Sequence, residues 1–102
     1  MNPFYITENN DKTWNIECRI IVYREILKEH PDFLKQYQGN AKNGYNTKFY
    51  LLIEENIPDK NIAQRLVDDY NQKYAAIIDQ CESTGNWNNA EFLKTKPVIY
   101  YK

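Results

Sequence analysis

The stretch KNIAQRLVDDYNQKYAAIIDQCE, residues 60–82, decides how the rest of this chain is read. Within it Ile62, Leu66, Tyr70, Tyr74, Ile77 and Cys81 recur at steps of four, four, four, three and four, with Ala63, Val67 and Ile78 widening the stripe. That spacing keeps one apolar face along a 3.6-residue period and predicts a long amphipathic helix. Its ends are marked as well. Pro58 precedes Asp59, a good N-cap, Asp68 and Asp69 follow near the helix start, and Gly85 supplies a stop after Glu82.

Working outward, residues 13–30 give a second helical reading. Ile16, Ile20, Tyr23 and Leu27 form one stripe, joined by Ile21, Val22 and Ile26, with Thr13 as cap and Pro31 as the break after His30. A short continuation from Asp32 to Gln38 carries Phe33, Leu34 and Tyr37 and ends at Gly39. Phe4 to Thr7, Lys48 to Ile53 and Val98 to Tyr101 are rich in aromatic and β-branched residues and read as strands, although Leu51-Leu52 also suits a helix. Residues 39–44 and 83–89 read as loops, and residues 90–94 as one helical turn.

Sliding the chain against itself by 46 positions places Glu8 on Glu54, Asn15-Ile16 on Asn61-Ile62, Arg19 on Arg65, Gly39 on Gly85 and Ile53 on Ile99. Phe4-Tyr5 and Phe49-Tyr50 fit the same frame with a shift of one. Two units of this length are too few for a solenoid, whose faces need about three repeats to be buried. The expectation is therefore an α+β single domain, 1–102, in which two diverged β-α units, 4–48 and 49–94, pack as an internal pseudo-dimer. Long amphipathic helices lie against a small sheet, and residues 97–102 add a last strand.

A chain of this length, Tyr-rich and built from two copies marked by Asn15-Ile16-x-x-Arg19 and Asn61-Ile62-x-x-Arg65, resembles the small orphan proteins of filamentous archaeal viruses. The resemblance lies in overall layout, and it implies a non-enzymatic protein that binds other proteins inside the infected host. Thirteen Asn, including the deamidation-prone Asn43-Gly44 pair, fit a mesophilic phage or mobile element better than a hot environment.

Composition removes several functions. Thirteen Lys and Arg against fourteen Asp and Glu leave a net charge of -1, without the excess that draws in nucleic-acid phosphates or anionic lipid. No apolar run approaches the roughly 18 residues of a spanning helix, and Met1-Asn2-Pro3-Phe4 does not begin a signal peptide. These features lead to the expectation of a cytoplasmic protein, in the host cytoplasm if viral.

No nucleotide-binding, hydrolase or zinc motif occurs, so neither cofactor nor metal is expected. The single His30 suits capping at the end of the first helix. Cys18 and Cys81, 63 positions apart on helices, read as small apolar residues or as a disulfide. Asp68, Asp69, Asp79 and Glu82 read as a solvated face. Arg19 and Arg65 lie at the edge of the apolar stripes; they either offer anionic contacts beside a groove or pack their stems on the core with their heads paired to Glu8 and Glu54.

Fifteen aromatic residues exceed what a core of this size readily absorbs. Tyr45 and Trp87, each after a Gly-containing loop, are the first choice to line a seam between the units, with Tyr5, Tyr50 and Tyr100 second; the alternative is that the Trp residues plug the core. The functional expectation is a protein-protein or peptide-binding module that uses this groove or a sheet edge. The competing class is a nucleic-acid-associated protein presenting Arg19, Lys28, Lys35, Lys42 and Lys48 with Tyr37 and Tyr45 as stacking groups.

Overall fold

The structure, a computed structural model, describes residues 2–19, 24–44 and 48–101. Four strands, β1 (Phe4–Glu8), β2 (Trp14–Arg19), β3 (Lys48–Ile57) and β4 (Val98–Tyr101), form one antiparallel sheet in the order β1-β2-β3-β4. Helices α1 (Arg24–Leu27) and α2 (Pro31–Lys42) connect β2 to β3. The long α3 (Lys60–Thr84), a 3-10 turn at Asn88–Ala90 and α4 (Glu91–Lys94) connect β3 to β4. The fold is α+β, as the composition of elements led one to expect.

The helical reading of residues 13–30 fails at its beginning. Residues Trp14–Arg19 form a strand, because Ile16 and Cys18 also alternate with polar Asn15, Glu17 and Arg19, and a tight turn just before them folds this segment back on β1. In that turn Asn9 N–H donates to Thr13 C=O at 2.8 Å and Lys12 takes a left-handed φ of 63°. The Asp11 carboxylate accepts from both the N–H and the hydroxyl of Thr13. Only Arg24–Leu27 of the expected helix is helical among the described residues, and residues 20–23 lie outside them. α2 runs through Gly39 to Lys42, beyond the expected stop, while Gly39–Lys42 had read as loop.

This also removes the expected duplication from the observed architecture. Residues 14–19 are extended where their counterparts 60–65 are helical, and the sheet is one continuous meander rather than two β-α units about an axis. One long helix, not two, covers the sheet.

That helix keeps its predicted start and stop. Asp59 accepts from the Asn61 N–H at 2.7 Å, and Gly85 ends α3 with a φ of 72° while its N–H donates to Cys81 C=O. The stripe is turned from the one counted in the sequence. Ala63, Val67, Ile78 and Cys81 are the buried positions, Tyr70 and Tyr74 are half-buried, and Ile62 is 46% exposed. Small side chains at 63 and 67 let the helix lie close to the strands, and the tyrosines flank that contact.

The core lies on one side of the sheet. Phe4 and Ile6, Ile16 and Cys18, Phe49, Leu51 and Ile53, and Val98 and Tyr100 share this inner face, by alternation and by the cross-strand register. Ile26 and Leu27 of α1, the buried stripe of α3, Trp87, Ala90 and Leu93 complete it. Phe33 and Tyr37 of α2 pack on the same side, each against the ring of Phe49. Cys18 therefore sits on a strand, and both cysteines are buried free thiols. Burial pushes the Cys18 thiol up to about 12, with the Glu82 carboxylate adding to the effect.

The sheet's first edge is closed by a side chain. Asn71 of α3 accepts from Phe4 N–H and donates to Phe4 C=O, both at 3.1 Å, so its amide takes the place of a neighbouring strand. Asn71→Ala leaves both backbone groups unmatched and is expected to lower unfolding free energy by about 1–3 kcal/mol, read from denaturant midpoints at unchanged slope. Two glycines make a sharper backbone test, because an added Cβ at Gly39 or Gly85 meets nothing within 4 Å. Gly39→Ala, inside α2, is expected to stabilise by about 0.5–1 kcal/mol, whereas Gly85→Ala, at a left-handed φ, is expected to destabilise by about 1 kcal/mol. Equal shifts of thermal midpoint in the same direction are the contrary result.

Candidate functional site

The outer face carries Tyr5 and Thr7 of β1, Glu17 and Arg19 of β2, Tyr50 and Leu52 of β3, and Ile99 and Tyr101 of β4. No helix among the described residues covers it. At its centre Glu17 is 0% exposed, opposite Tyr5 on one side and Leu52 on the other. Thr7 and Tyr101 both donate their hydroxyls to Glu17 Oε2, Tyr101 at 2.9 Å. Glu17 Oε1 and the Tyr5 hydroxyl are buried with no partner.

Three tyrosine rings enclose this carboxylate. Tyr5 and Tyr50 meet edge to face with centroids 5.9 Å apart and planes at 83°, and Tyr50 meets Tyr101 at 5.2 Å and 60°. Burial, then the Glu17 charge, drives the Tyr5 phenol above the ordinary tyrosine range. For Tyr101 the pKa is pushed up to about 12, by burial first and then by the hydrogen bond to Glu17.

Of the residues expected at a seam, the structure brings Tyr5 and Tyr50 together on this face, with Arg19 opposite Tyr50 in the ladder. Tyr100 points to the inner face and packs on Phe49 at 5.4 Å. Trp87 is buried in the core at 7% exposure, on the helix-covered side. Arg65 is exposed on α3, and Tyr45 lies outside the described residues. The expected pairs Arg19–Glu8 and Arg65–Glu54 do not form; the Glu54 carboxylate accepts the Tyr70 hydroxyl at 2.8 Å instead. His30 stands at the N-cap of α2 without a side-chain cap bond, so it is not the cap at a helix end that the sequence led one to expect.

Glu17, Tyr101 and Thr7 were missed. Their signal was period-two alternation over residues 14–19, hidden by a competing four-step pattern through Ile16 and Ile20.

Two other surfaces compare poorly. Phe4, Tyr70, Tyr74 and Phe92 form a stack of rings, Tyr74 on Phe92 at 4.5 Å and 3°, beside a recess of about 270 Å³. The ammonium groups of Lys73 and Lys96 already sit over Tyr74 and Phe92. A second recess, about 320 Å³, lies between residues 52–55 of β3 and residues 95–97 and is open to solvent. Of the residues expected for nucleic acid, Tyr37 packs on Phe49 and Lys28 pairs with Glu25, while Tyr45 lies outside the described residues. Among the described residues no group of His, Cys, Asp or Glu is arranged to hold a metal, and no helix is long and apolar enough to cross a membrane.

Comparison with known protein families, with curated proteins and with solved structures gives no match. The reading of the outer face rests on its own chemistry.

Alkaline titration tests the cluster. A folded-state pKa raised above the free tyrosine value means that the native state holds its proton longer than the unfolded chain. The contribution is whole below about pH 10 and is lost as pH rises towards 12. Unfolding free energy is expected to fall over that window, and Tyr101→Phe is expected to flatten the fall. A wild-type profile level from pH 10 to 12 contradicts the cluster.

Proposed function

We propose that the chain is a non-enzymatic protein-protein or peptide-binding module whose binding surface is the outer face of the sheet. The observation that carries this reading is the buried Glu17 with one oxygen unpaired beneath Tyr5, Tyr50 and Tyr101. Tyrosine suits such a surface: a flat apolar ring with a polar tip gives contact area with little rotamer entropy to lose. Leu52, Ile99 and Tyr50, half-buried, surround the cluster with further apolar area. A catalytic reading has less support, because no second acid, base or nucleophile stands with Glu17 except hydroxyls, and the cluster is closed to solvent.

Strand addition at an edge is the second route by which such a sheet binds peptides. Here the β1 edge is occupied at Phe4 by Asn71, and β4 offers only four residues. The face is the larger surface.

Twelve-residue peptides selected by display on the full chain test the reading. Tyr50→Ala is expected to weaken selected peptides about 30-fold, the loss typical of a central aromatic anchor. Ile62→Ala, on the opposite, helix side, is expected to leave them unchanged. Both variants are checked for an unaltered thermal midpoint. Peptides that ignore Tyr50→Ala overturn the proposal.

A further inference from the structure

Resting on that reading of the outer face, we infer that the Glu17 cluster receives one lysine-type ammonium group from the bound segment, and that this group must still carry at least one N–H.

The argument starts from charge. A carboxylate withdrawn from water is costly unless it is both hydrogen-bonded and paired with a cation. Glu17 is 0% exposed, and both hydroxyls that reach it crowd onto Oε2, leaving Oε1 bare. Among the described residues no cation is paired with it. The ion pairs there are Lys28–Glu25, at the end of α1, and Lys94–Glu91, on α4, whereas Arg19, two residues along the same strand, and Lys48, opposite Tyr101 in the ladder, make none.

The surroundings favour a compact cation. Tyr5, Tyr50 and Tyr101 meet at steep angles, so their ring faces form walls rather than a stack. A cation within about 6 Å of such ring faces is attracted by their negative quadrupole, most strongly when desolvated. The free acceptors then choose among cations. A guanidinium presents a planar fork that wants both carboxylate oxygens, and Oε2 is already taken by two hydroxyls. An ammonium needs single acceptors in several directions, and the two unpaired oxygens of this face, Glu17 Oε1 and the Tyr5 hydroxyl, are of that kind. A trimethylated ammonium has no proton for either.

Entry is through Tyr101. It is 48% exposed, stands at the end of the four-residue β4, and is tied to Glu17 by one hydrogen bond. Rotation of this side chain admits the ammonium to Oε1, and its return restores the ring wall and the bond to Oε2.

The test uses the selected peptides and acts first on the peptide, so that folding of the protein is not at issue. Replacing the peptide's lysine by norleucine, or by trimethyl-lysine, is expected to weaken binding about ten-fold, while dimethyl-lysine, with one N–H left for Glu17 Oε1, loses less than either. On the protein side, Glu17→Gln is expected to weaken the lysine peptide by the same factor and to abolish the difference between lysine and norleucine, the mark of a direct pair. If peptides depend on Tyr50 yet bind equally with lysine or norleucine, the ammonium inference is overturned and the outer-face reading stands. If arginine peptides dominate the selection, the acceptor argument is overturned. If peptides ignore Tyr50→Ala, the outer-face reading itself has failed, and the inference with it.

Discussion

A four-stranded sheet has two faces, and the described helices of this chain serve one. The described helices between β2 and β3, and between β3 and β4, pack on the side of Phe4, Ile16, Cys18, Phe49, Leu51 and Val98. Antiparallel sheets tolerate this arrangement when the second face is polar enough to meet water. The outer face of this protein is not built that way. It carries three tyrosines, Leu52 and Ile99, and its one carboxylate, at Glu17, is sealed under rings. The constraint of one-sided cover thus creates both the core and the face to which we assign binding.

Within that surface the hydroxyls act as a substitute for solvent. Thr7 approaches Glu17 diagonally from the adjacent β1, and Tyr101 reaches it from β4, across β3. Their placement satisfies one oxygen and leaves the other without a partner. Proton affinity follows the same geometry: Tyr101 holds its proton tightly because burial first, and then the hydrogen bond to Glu17, disfavours its conjugate base.

How much of this was legible in the sequence depends on how far apart the competing patterns lay. α3 was readable to its ends, because Asp59 and Gly85 act through their own backbone neighbourhood and need nothing distant. Phe4 to Thr7, Lys48 to Ile53 and Val98 to Tyr101 were readable as strands from aromatic and β-branched residues, although Leu51-Leu52 also suited a helix, and the structure extends the first two to Glu8 and Ile57. Residues 14–19 were not, since Ile16 and Cys18 satisfy a two-step pattern while Ile16 and Ile20 satisfy a four-step one, and what decides between them is pairing with both β1 and β3. That one misreading concealed Glu17 and produced the apparent repeat. Tyr5 and Tyr50 were named for a seam between two units that the sheet does not contain; what brings them together is alternation, which in β1 and β3 turns Phe4 and Phe49 inward and the following tyrosines outward.

The abundance of asparagine needed no cause when only its frequency was in view, yet several of these residues do structural work that other side chains do poorly. Asn9 and Asn15 exchange amide hydrogen bonds beside the β1–β2 turn, and Asn15 also accepts from the Asn56 N–H. Asn56 holds a left-handed φ of 58° where the β2–β3 register slips, a conformation that asparagine accepts more readily than most residues. Beyond the end of β4, the strand therefore kinks just where its edge is open, and Glu54 and Glu55 make that edge acidic. With Asn71 closing the other edge at Phe4, strand-to-strand association is discouraged at both sides of the sheet. With both edges blunted, the aromatic outer face, where Glu17 keeps one oxygen unpaired, is the surface left for the association we propose.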